Sequence, residues 1–159
     1  MKLFSFLISF LFLINSNAQT ITNYTTADGL ISDFVECIDV DISDNIWFGT
    51  SVGVQVFDGT NWVSYDIGNY PGMAADNIKV IRAMTNGDIW IGTDYGASRF
   101  DGVDWTTYNS TNGLNNNQVY SIDEDDSGNV WVGTHAGVSY YNGSNRSEDR
   151  RVGKESQPR

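Results

Sequence analysis

The chain is short of cysteine, histidine and positive charge, and each shortage closes off a class of protein. Cys37 is the sole cysteine among 159 residues, so no internal disulfide can staple the fold. It lies in an alternating apolar run and reads as a small core residue rather than a nucleophile. His135 is the one histidine. It has no serine or cysteine partner at a telling spacing, which leaves a catalytic triad unsupported. Nine Lys and Arg face 20 Asp and Glu, for a net charge of -11. Residues 20–145 hold 17 acids against Lys79, Arg82 and Arg99 alone. A body this acidic repels phosphate backbones and anionic lipid, so neither nucleic acid nor a membrane surface is expected as a partner. Helical spacing is missing throughout.

The two ends differ from the body. Lys2 is followed by an apolar run from Leu3 to Ile14, then by Ser16-Asn17-Ala18. That order is a secretory signal peptide over residues 1–18, with Gln19 first in the mature chain. The run is too short for a comfortable membrane span. Export predicts a periplasmic or extracellular location. Residues 146–159 carry five bases and three acids and no aromatic residue. The stretch "RSEDRRVGKES" resembles a translated sequencing-adaptor end. Residues 146–159 are read as a non-native or disordered tail, an adaptor read-through, with a short natural tail as the alternative.

The body is a threefold repeat. "GLISDFVECIDVDISDNIWFGTSVGVQVFDG" begins at Gly29, "GMAADNIKVIRAMTNGDIWIGTDYGASRFDG" at Gly72 and "GLNNNQVYSIDEDDSGNVWVGTHAGVSYYNG" at Gly113. The three align without a gap. Trp47, Trp90 and Trp131 open a W-x-G-T phrase whose glycines are Gly49, Gly92 and Gly133. Within each unit the apolar period is two, broken by turn residues, which predicts four short strands. Asp-Gly and Asn-Gly pairs at Gly59, Gly102 and Gly143 predict hairpins. Four-stranded units of this length are the size of propeller blades. The fold class expected is therefore all-β: a partial propeller over residues 19–145, with blades around 29–65, 72–108 and 113–145. The W-x-G-T glycines would let a neighbouring blade approach closely. The tryptophans would fill the space between blades, or else form an exposed platform for stacking sugars. Trp62 and Trp105 stand three residues after Gly59 and Gly102, and the register places the third at 146, where Arg stands. Tyr24 precedes Gly29 as Tyr108 precedes Gly113, so the mature chain is expected to begin with a lone outer strand. Propellers use about four to eight blades, so three are read as a fragment.

"GLNNNQVYSIDEDDSGNVWVGTHAGV", from Gly113 to Val138, resembles the two-component regulator propeller repeat. The first unit departs from the pattern at Asp44-Asn45, the second at Met73, Met84 and Gly87-Asp88. The resemblance covers residues 21–145. It implies a seven-bladed propeller at the extracytoplasmic end of a hybrid sensor kinase, sensing an oligosaccharide or similar polymer. The implied partners are that ligand and the further blades and downstream domains of the same protein. Related repeats also occur in secreted proteins with a sorting domain, which keeps an adhesive or scaffold role open.

In a propeller the turns after the second strand share a face with the links between blades, and that face is the expected ligand side. It would carry Ser51-Val52, Asp94-Tyr95 and His135-Ala136. The link "DIGNYPGM" adds Asn69 and Tyr70, and Asn115, Asn116 and Asn117 join them. Tyrosine stacking beside Asn and Asp hydrogen bonds suits a neutral sugar. A glycan hydrolase or lyase would need two opposed carboxylates, with Asp94 and Asp33 as the candidates. Asp123, Asp125 and Ser127 open like a calcium loop but lack the closing acid, so a plain hairpin turn is favoured and no metal or cofactor is expected.

Overall fold

The computed structural model describes residues 20–143. Three antiparallel sheets follow one another along the chain. The first holds β1 (Val35–Val40), β2 (Ile46–Thr50), β3 (Gly53–Phe57) and β4 (Trp62–Tyr65). The second holds β5 (Val80–Ala83), β6 (Ile89–Gly92), β7 (Ala97–Phe100) and β8 (Trp105–Tyr108). The third is described as three strands, β9 (Val119–Glu124), β10 (Val130–Thr134) and β11 (Gly137–Tyr141). Strands within each sheet pair in simple meander order. These are propeller blades, as the repeat requires. The position for the fourth strand of blade three, the signal peptide and the basic tail all lie outside the described residues. Residues 20–25 form no strand, although the repeat register put one there. A strand needs an edge to pair with, and no sheet among the described residues offers one at that point. Tyr24 nonetheless packs against Phe57 and Trp62 as Tyr65 packs against Phe100 and Trp105. Its place follows the register without the strand.

Two apolar clusters hold the blades together, and each is an interface between neighbours. Trp47 and Val54 of blade one meet Ile78, Ile81, Ile91 and Trp105 on the blade-two side. Trp90 and Ala97 of blade two meet Leu114, Val119, Ile122 and Val132 on the blade-three side. At both joints a glycine receives a branched side chain. A Cβ on Gly49 would lie 2.8 Å from Ile78 Cγ2, and one on Gly92 would lie 2.5 Å from Val119 Cγ1. Backbone hydrogen bonds fix the same register. Ile78 N–H donates to Thr50 O and Val119 N–H to Thr93 O, both at 2.9 Å. Aromatic stacking completes blades one and two, with Tyr65 on Trp47 and Tyr108 on Trp90. Such stacks contribute about 1 kcal/mol each beyond the area they bury.

The hairpin between the first two strands shows how one substitution is absorbed. Asp41 and Asp125 accept the indole N–H of Trp47 and Trp131 at 2.8 and 2.9 Å, and they also accept from Asn45 and Asn129. Blade two has Met84 at the matching position. Trp90 Nε1 is consequently buried with no partner among the described residues. Asp88 replaces the asparagine and takes a two-pronged ion pair from Arg99 instead, with Nε at 2.6 Å. The polar anchor of this hairpin has moved from its Trp to the adjacent strand.

The turn glycine of that hairpin is Gly87 at φ 91° and Gly128 at φ 80°, but Asp44 holds the same left-handed conformation at φ 63° in blade one. Asp44→Gly is expected to raise stability by about 0.5–1 kcal/mol, since a side chain is disfavoured there. A urea melt checks this. Gly92→Ala is expected to destabilise by about 1–3 kcal/mol through overpacking against Val119 and Val80. The matched Gly133→Ala is expected to cost less in the same melt, because its nearest obstacle is the hydroxyl end of Ser121.

Candidate functional site

The meander places both ends of every blade in register. The links before β1, β5 and β9 lie at the same end as the β2–β3, β6–β7 and β10–β11 turns, and the interblade bonds from Ile78 and Val119 align these ends across blades. One face of the array is therefore built from turn residues 51–52, 94–95 and 135–136 with the links above them.

Each turn has an invariant frame. Thr50, Thr93 and Thr134 donate their hydroxyl to the carbonyl of Gly53, Gly96 and Gly137 at 2.8–3.0 Å. The same hydroxyls accept the N–H of Val52, Tyr95 and Ala136. The glycines close the turn at φ 132°, 140° and 123°. At Gly53 and Gly96 the carbonyls of Tyr65 and Tyr108 stand 2.4 Å from where a Cβ would be. Only glycine fits there. The two residues held up by this frame change from blade to blade: Ser51-Val52, Asp94-Tyr95, His135-Ala136.

A second variable position faces the first. Seven residues after the opening glycine, the inner strand or the link just before it carries Glu36, Lys79 and Tyr120. Lys79 pairs with Asp94. Tyr120 stands edge-on to His135, with ring centroids 6.3 Å apart. The same two repeat positions thus meet in two blades with different chemistry, one ionic and one aromatic. Tyr95 is exposed beside them.

The remaining sequence candidates hold loops together. Asn69 donates its amide to Asp66 at 2.7 Å. Tyr70 is half-buried and tilts on Tyr65, 4.8 Å between centroids. Asn115 donates its side-chain amide to Ala136 O and its backbone N–H to Ser139 Oγ, both within its own blade. Asn116 Oδ1 accepts from Gln118 N–H and Asn117 Oδ1 from Ser110 N–H. Asp33 is a latch of the same kind as Asn117, accepting Thr26 N–H at 2.6 Å. Asp123 is ion-paired to Arg82 at 2.8 Å, while Asp125 closes the opposite-end hairpin with Ser127 N–H, Asn129 and Trp131. Among the described residues no three acidic, His or Cys side chains gather as a metal site. Burial pushes the Cys37 thiol up to about 11, so it stays protonated under Gly49.

Lys79, Tyr120 and Glu36 escaped the reading of the sequence. The signal was present, because this is a position where aligned repeats change from acid to base to aromatic.

Comparison with known proteins agrees with this architecture. Residues 113–136 match the family model described as two component regulator propeller. That stretch of blade three is similar to this repeat. Its structure resembles the extracellular domain of a hybrid two-component system from B. thetaiotaomicron, with a TM-score of 0.67 and 28% identity over 78% of this chain. PorZ, a surface component of the type-IX secretion system of Porphyromonas gingivalis, matches at a TM-score of 0.48 and 24% identity over 69% of this chain. The chain spans 18% of the length of each. No curated protein matches it. Among the described residues no helix is long and apolar enough to cross a membrane.

The hairpin anchors give a pH test. The Trp131 indole N–H, with Asn129 and two backbone amides, holds the Asp125 carboxyl down at about 2. Its folded value lies below the unfolded one near 4, so the stabilisation is present above about pH 4 and is lost as pH falls through about 2. Asp125→Asn is expected to flatten that acid limb of the melting temperature, read by thermal melts between pH 2 and 5. Loss of the limb's slope supports the anchor, and an unchanged slope contradicts it.

Proposed function

We propose that the chain is part of an exported, ligand-sensing propeller of a hybrid two-component regulator, and that its turn-bearing face recognises an oligosaccharide. The observation that carries this is the contrast on that face between a constant frame and variable tips. The Thr–Gly frame repeats in every blade, whereas Glu36/Ser51, Lys79/Asp94 and Tyr120/His135 do not. A fold that needed these positions would repeat them as it repeats its tryptophans. Recognition residues on a rigid scaffold are free to differ. Tyr95 and Tyr120 offer exposed aromatic faces, and Lys79, Asp94 and His135 offer donors and acceptors beside them. Such a set suits a hydroxyl-rich ligand that stacks and hydrogen-bonds at once. The likeness to an extracellular domain supports export.

The test is a screen of the purified chain against an array of bacterial, plant and host polysaccharide fragments. The expected result is binding that falls at least about tenfold in Tyr95→Ala and Tyr120→Ala, in line with the loss of an aromatic anchor. Asn61→Ala, at the opposite end of the blades, is expected to bind as the parent does. Equal loss from Asn61→Ala, or no glycan bound at all, overturns the reading.

A further inference from the structure

Of the three basic side chains in the body, two hold the array together. Arg99 grips Asp88 inside blade two, and Arg82 reaches Asp39 of blade one and Asp123 of blade three. Lys79 is different. Its ammonium donates to Asp94 Oδ1 at 2.5 Å within its own blade, and the two side chains are 34% and 35% exposed. The fold does not need this pair. Lys79 N–H donates to Gly92 O at 2.9 Å, and Thr93 frames the turn that carries Asp94, so the backbone already sets the two residues side by side. Blades one and three build the same turn with Glu36 and Ser51, or with Tyr120 and His135. A pair this open to water adds little to stability. What it presents is chemically defined. One Asp94 oxygen takes the ammonium, and the other, Oδ2, has no partner among the described residues. The ammonium has three N–H groups and gives one to Asp94, which leaves two free to donate. Tyr95, next in the same turn, is 68% exposed.

We propose that Lys79 and Asp94 form a subsite for two adjacent hydroxyls of an uncharged sugar ring, with Tyr95 as its aromatic neighbour. This rests on the reading of the face as an oligosaccharide site, and it says which part of the sugar blade two recognises. One hydroxyl donates to Asp94 Oδ2, and the hydroxyl beside it accepts from Lys79 Nζ. Adjacent hydroxyls on a ring are held close together in one geometry, as the ion pair is, so both bonds form with little ordering of either partner. Both involve a charged group, which makes them the stronger class of hydrogen bond. The charge also selects the sugar. Lys79 is neutralised by Asp94, so the subsite has no spare cation for a uronate or a sulfate, and Glu36 at the matching position of blade one repels both.

Titration calorimetry of the full chain tests this. The probes are uncharged 1,4-linked gluco-, manno- and xylo-oligosaccharides, whose internal units keep adjacent hydroxyls at C2 and C3. Each is paired with its derivative O-methylated at C2 or C3, which keeps the ring but blocks one hydroxyl. The parent chain is expected to bind at least one of the three, and methylation to weaken that binding at least about tenfold. Lys79→Met and Asp94→Ala are each expected to cost as much toward the unmodified sugar while melting as the parent does. Toward the methylated sugar these variants are expected to lose little more, because the bonds they remove are already gone. Methylation and mutation that weaken binding independently overturn the subsite, as does full-strength binding by either variant. A chain that binds only uronate-bearing or sulfated oligosaccharides, or other glycans without regard to Lys79 and Asp94, overturns the subsite and leaves the oligosaccharide reading standing. A chain that binds no glycan of any kind overturns both.

Discussion

The fold depends on a small joint in which a branched side chain enters the space left by a glycine. A four-stranded sheet of this length is flat-faced and cannot bury itself, so each blade is stable only against a neighbour. The joint solves the approach problem. Gly49 and Gly92 remove the atom that would keep two sheets apart, Ile78 and Val119 fill the gap, and a backbone bond to Thr50 O or Thr93 O sets the height. The tryptophan two residues earlier then lies flat between the sheets. Everything else in the repeat, including the turn frame, is positioned by that contact.

Setting the height of neighbouring blades has a functional consequence. It brings the turn tips of successive blades to one level, so variable residues from different repeats form one surface. The threonine that lends its carbonyl to the joint also uses its hydroxyl to rigidify the turn beyond it. One residue thus links blade packing to the geometry of the tips. The acidic charge of the body is spread over hairpin caps, latches and ion pairs such as Arg82 with Asp39 and Asp123, so many of these carboxylates serve turn construction.

Much of this was legible in the sequence, because identical spacing over three units leaves few folds open. The strand meander, the interblade role of Trp47 and Trp90 and the close approach at Gly49 and Gly92 follow from repetition and residue size. The site was less legible. Asn115, Asn116, Asn117 and Asn69 look like ligand contacts in a polar loop, yet the bonds they make close those loops, since a short link must satisfy its own backbone. Tyr70 reads as an exposed aromatic but packs on Tyr65. Lys79 and Tyr120 were hidden because they sit in or next to a strand, where attention goes to the apolar alternation. Met84 was visible as a departure from the pattern, but its effects, an orphaned Trp90 indole and a new Asp88–Arg99 pair, require coordinates.

Native-state hydrogen exchange at the Ile78 and Val119 amides tests the central claim most directly. If the joint holds the array together, both amides exchange only with global unfolding, as slowly as the amides in the middle of β6. Exchange at the rate of the exposed turn amides, with β6 still protected, would mean that blades open from one another freely and that the joint is not what the structure depends on.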